Sequence, residues 1–152
     1  MEDGNNDSIV IQDLHQAGGY QIDETAINIL IAYDYYNYTK DILFLKRILP
    51  MLQNAYKYIV RYLENVITFK KTKTFDLWEN YVGESVFGIS AVFASLKTMS
   101  KIYEIVKDTY KENRLKVEQI NKEIQKINPL LVDVKEWIHM NMYSNEKQAY
   151  VN

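Results

Sequence analysis

Along most of this chain, apolar positions recur at helical spacing, and few runs alternate with period two. From Glu24 to Tyr38 the run Ala26, Ile27, Ile29, Leu30, Ile31, Ala32, Tyr33, Tyr35 and Tyr36 leaves almost no polar face. This predicts a helix buried on most sides, with Asp23 as its N-cap. From Asp41 to Ile67 the pattern changes. A short helical piece leads to Pro50, which is expected to open a long helix at its first turn. Leu52, Ala55, Tyr56, Ile59, Val60, Leu63, Val66 and Ile67 then form one apolar stripe, opposite Gln53, Lys57, Arg61 and Glu64. A polar loop, residues 68–83, precedes a third helix over Glu84–Lys107 whose first half is again apolar nearly all round. A fourth helix, Tyr110–Ile127, is amphipathic and is expected to end before Pro129. A last one covers Val134–Tyr143, ahead of a polar tail. Residues 1–20 read as irregular.

The order is buried helix, half-exposed helix, buried, half-exposed. Two concentric helix rings require this alternation, with odd helices inside and even helices outside. A solenoid would carry a fixed repeat, and none is found. A simple four-helix bundle would give every helix the same single stripe. The expected fold is therefore all-α, with a toroid of two concentric helix rings ahead of a bundle or a solenoid, and residues 1–152 forming a single domain.

Composition narrows the function. The length suits one domain with a core of its own. Eighteen basic and twenty acidic residues give a net charge of -2, which offers no field for nucleic acid or an anionic membrane. The absence of cysteine excludes a thiolate metal site and a disulfide framework. His15 and His139 stand alone, so neither a metal nor another cofactor is expected. No apolar run is long enough to span a bilayer, and the polar, acidic start is unlike a secretory signal, so a cytoplasmic location is expected. Tyr33, Tyr35, Tyr36 and Tyr38 are read as core and rim packing, and Lys70, Lys71 and Lys73 as a solvated loop.

One stretch stands out: "FDLWENYVGESVFGISAVFASLKTMSKIYE", residues 75–104. An Asp-Leu-Trp-Glu block sits where a connection becomes a helix, with a glycine four residues after the glutamate and a helix rich in small residues beyond. It resembles the central signature of the glucoamylases, glycoside hydrolase family fifteen. Upstream, "YQIDETAINILIAYDYYNYTKDILFLKRILPMLQNAYKYI" is similar to that family's Gln-x-Asp-Glu segment with its inner and outer helices. Downstream, "VKEWIHMNMYSNEKQAYV" is similar to a later outer helix and loop. The likeness runs in order from about residue 15 to residue 152.

The resemblance implies an (α/α)6 toroid that removes glucose from the non-reducing ends of α-glucans or maltooligosaccharides with inversion. It makes Glu79 the general acid. Leu77 and Trp78 shape the subsite for the terminal sugar, and Gln21 and Asp23 fall on the family's Gln-x-Asp positions. Where the family often has a second glutamate, this chain has Asn80, which can still bind hydroxyls. The family's upstream Arg-Asp grip and downstream catalytic base find no counterpart here, so the chain is expected to be incomplete or weakly active alone. A complementary chain or a homo-oligomer is then the expected partner.

An inverting mechanism needs two carboxyl groups about 6.5–9.5 Å apart, one giving a proton and one activating water. The acid must stay protonated, which burial against Trp78 or a nearby charge such as Asp76 would favour. The plainer reading makes Glu79 a first-turn carboxylate favoured by the helix dipole. It goes with a second functional alternative: a non-catalytic helical module that binds carbohydrate or protein and self-associates through its exposed flanks.

Overall fold

The computed structural model describes residues 21–67 and 84–151. Within them are four helices, α1 (Ile22–Thr39), α2 (Ile42–Ile67), α3 (Val86–Asp108) and α4 (Arg114–Met142), and two short strands, β1 (Tyr143–Ser144) and β2 (Ala149–Tyr150). The all-α class stands. Pairs α1–α2 and α3–α4 form two helical hairpins lying side by side, with α1 packed closely along α3 and α2 touching both α3 and α4.

Small residues permit the α1–α3 approach. Ala26 and Ala32 on α1 and Gly88, Ala91 and Ser95 on α3 are all buried. A Cβ at Gly88 would lie 3.3 Å from Ile22 Cγ2 and 3.1 Å from Ser85 Oγ, tighter than ordinary contact. The core is completed by Leu45, Leu52, Ile59, Tyr62 and Leu63 of α2, Leu96, Met99 and Ile102 of α3, and Ile120, Ile127 and Val134 of α4.

Capping follows local chemistry in three helices. The Asp41 carboxylate accepts from the Phe44 amide at 2.9 Å, Ser85 Oγ from the Gly88 amide at 2.9 Å, and Asn113 Oδ1 from the Lys116 amide at 3.1 Å. Each satisfies one of the free N–H groups of a first turn. α1 differs. Its N-cap position is Gln21, with no side-chain cap bond, and Asp23 lies one residue inside the helix, accepting from the Glu24 amide at 3.0 Å. The expected Asp23 cap is thus corrected to an in-helix carboxylate.

Both proline expectations are also corrected. Pro50 and Pro129 lie inside continuous helices rather than opening or breaking them. Each ring removes one amide donor, but both prolines are exposed, so water can reach the freed carbonyl groups. Meanwhile the buried stripes run unbroken across them. On α4, Ile120, Ile124, Ile127, Leu131, Val134 and Ile138 keep the three-four spacing through Pro129 and face the core. The gain from a continuous packed face outweighs one lost hydrogen bond.

α1 is not buried all round. Ile31, Tyr35 and Tyr38 are exposed, Tyr38 to 91%, while Tyr33 and Tyr36 pack against the core. The tyrosine cluster thus divides between core and surface. On α3, Phe87 is exposed. The tail expected to be merely polar forms a small antiparallel ladder pairing Tyr143 with Tyr150. Their rings meet edge to face at 5.2 Å, and the Val151 amide donates to the Met142 carbonyl at 2.7 Å.

Candidate functional site

The two buried-side helices begin at the same end of the molecule. Ile22 of α1 lies against Gly88 of α3, so the first turns of both helices adjoin. Gln21 and Asp23 are buried there, 5% and 1% exposed, with Thr25 beside them donating through Oγ1 to the Gln21 carbonyl at 3.4 Å. Buried Ser85 closes the start of α3. Tyr62, in the C-terminal half of α2, lies near Glu84, the residue before Ser85. Burial pushes the Tyr62 hydroxyl well above the usual tyrosine range, and the nearby Glu84 carboxylate pushes it further.

This end has a definite electrostatic character. Two helix N-termini carry partial positive charge and favour anionic or hydrogen-bond-accepting groups near them. The polar side chains Gln21, Asp23, Thr25 and Ser85 are gathered, buried, at the ends of apolar helices. Of the residues singled out from the sequence, Gln21 and Asp23 come together here. Leu77, Trp78, Glu79 and Asn80 lie outside the described residues, as do Asp76, His15 and the lysines at 70, 71 and 73. His139 is exposed and stacks on Tyr143 at 5.1 Å. Among the described residues no group of three or more potential metal ligands occurs. No described helix is long and apolar enough to cross a membrane.

Thr25 and Ser85 were not singled out from the sequence. Ser85 had a readable signal, a serine just before an apolar helix. Thr25 had none, since its burial depends on α3 packing over the first turn of α1.

Paired helical hairpins in two layers, with a polar cluster at the N-terminal ends of one layer, define a segment of an α/α toroid. The sequence profile of the glycosyl hydrolases family 15 matches residues 3–151. The chain belongs to this family, and glycoside-hydrolase-like function follows at that level. α1 and α3 are accordingly inner helices, α2 and α4 outer ones. No curated protein and no solved structure is matched by the chain.

Proposed function

We propose that this chain supplies the general-acid half of an inverting, glucoamylase-like site that acts on the terminal glucose of α-glucans or maltooligosaccharides. Glu79 protonates the glycosidic oxygen, Leu77 and Trp78 shape the terminal-sugar subsite, and Asn80, Gln21 and Asp23 bind sugar hydroxyls. The observation that carries this reading is the family match over residues 3–151, which includes the Asp-Leu-Trp-Glu block at 76–79. The adjoining first turns of α1 and α3 support it.

No carboxylate of this sequence is assigned as the base that activates water. Without it, the chemical step lacks a contribution of about 10²–10⁴-fold, and the chain alone is slow. The test is glucose release from maltotriose. Glu79→Gln should lower the rate at least about 10²-fold, because an amide cannot donate the proton in the same way. An unchanged rate would show that Glu79 is not the acid.

A second reading is favoured by one observation. Ile31, Tyr38, Leu115, Val132 and Met140 are large apolar side chains left exposed on the helices. On this reading the chain is a non-catalytic module that binds carbohydrate or protein and self-associates through those flanks.

A further inference from the structure

A cleft of about 320 Å³ lies between α2 and α4, lined by Gln53, Lys57, Lys116, Gln119, Lys122, Glu123 and Lys126 over a floor that includes Tyr56 and Tyr103. It adjoins a second hollow that shares Tyr56, Lys57, Glu123 and Lys126 and adds Asn54 and Arg61. Five cationic side chains and one carboxylate therefore line the two hollows, in a chain whose overall charge is negative. Like charges gathered on a concave, low-dielectric wall focus their field on the space between them.

The pairing within the cleft matters more than the count. Lys126 is held by Glu123 at 2.7 Å, and Lys116 lies over the Tyr110 ring. Among the described residues, neither Lys57 nor Lys122 has a carboxylate partner. Two uncompensated ammonium groups from opposite helices thus border one hollow. Beneath them are phenols that stay protonated. Burial, reinforced by Glu123, pushes Tyr56 up to about 12, and burial raises Tyr103 despite its bond to Gln53. The cleft therefore presents ammonium groups, amides and phenolic hydroxyls together.

We propose that the α2–α4 cleft binds the phosphate monoester of a sugar, with Lys57 and Lys122 on the phosphoryl group and the Gln53 and Gln119 amides on hydroxyls. Ammonium groups act as compact point charges that bind phosphoryl groups without a fixed fork geometry, and two of them match the charge of a dianionic phosphate monoester. Glu123 opposes the ligand and limits its affinity.

Calorimetric titration of the full chain with glucose 6-phosphate, inorganic phosphate and glucose tests this. Glucose 6-phosphate should bind several-fold more tightly than inorganic phosphate, glucose should not bind in the cleft, and added salt should weaken binding. Lys57→Glu with Lys122→Glu should reduce affinity at least about tenfold with helicity unchanged, since both side chains are exposed, whereas Glu123→Gln should raise it. Lys111→Glu, outside the cleft, should have little effect. Absence of binding by both phosphate compounds, or binding indifferent to the double variant, overturns the proposal. Equal affinity for inorganic phosphate and glucose 6-phosphate overturns its sugar half. Glu79→Gln should leave this binding untouched, so the outcome is independent of the hydrolytic reading.

Discussion

Tyr56, Tyr62 and Tyr103 carry hydroxyl groups into the helical interior, and burial is the main reason each holds its proton more tightly than in water. The folded state therefore binds those protons better than the unfolded chain, whose tyrosines titrate at the ordinary value of 10.0. The resulting stabilisation is whole below pH 10.0 and is lost as the pH rises, in the case of Tyr56 through about 12. Urea unfolding followed from about pH 9 to about pH 12 should show stability falling steeply above 10, and Tyr56→Phe should flatten that fall. A flat profile would mean these rings are hydrated. At this scale the sequence was partly readable. Asp41 and Ser85 stand before apolar runs and do cap them, whereas Asp23 has the same local appearance and lies inside the helix. The difference is tertiary: the packing of Ile22 on Gly88 extends α1 two residues beyond the start its sequence suggests.

The helices themselves were legible from periodicity, and their ends were less so. Most of the α2 stripe is buried and its polar face meets water, but Val60 and Ile67 are only half-buried. The stripe also omits Tyr58 and Tyr62, which are buried as well. Proline misled the reading at 50 and 129, since a local breaker rule carries no knowledge of the continuous core face on either side. This has a consequence for stability. Pro129 is exposed, lacks a donor, and crowds the carbonyl four residues earlier, so Pro129→Ala should stabilise the fold by about 2 kcal/mol, less whatever the proline contributes by restricting the unfolded chain. Thermal unfolding would register this as a higher midpoint. A lower midpoint would show that the ring makes a packing contribution of its own. The nearly all-round apolarity of α1 also misled, because it suggested burial on most sides where Ile31 and Tyr38 stay exposed.

For the whole molecule, the alternation of helices carried the fold class, and the Asp-Leu-Trp-Glu block carried the family. What the pattern could not convey was which polar side chains meet. The cationic cleft combines the solvent face of α2 with residues of α4 more than fifty positions away, each an ordinary polar face in isolation. The apolar flanks bear on assembly. Ile31, Val132 and Met140 should drive association at raised concentration, and sedimentation velocity should show dimers or larger species that Val132→Glu with Met140→Glu weakens. A monomer at every concentration would count against the self-associating module.

The hydrolytic claim meets its most direct test in the anomer of the first glucose released from maltotriose, followed by proton NMR with the native chain and with Glu79→Gln. An inverting site with Glu79 as the acid predicts slow release of β-glucose by the native chain, ahead of mutarotation, and none above background in the variant. Release of α-glucose, or β-glucose appearing equally fast with Glu79→Gln, would contradict it.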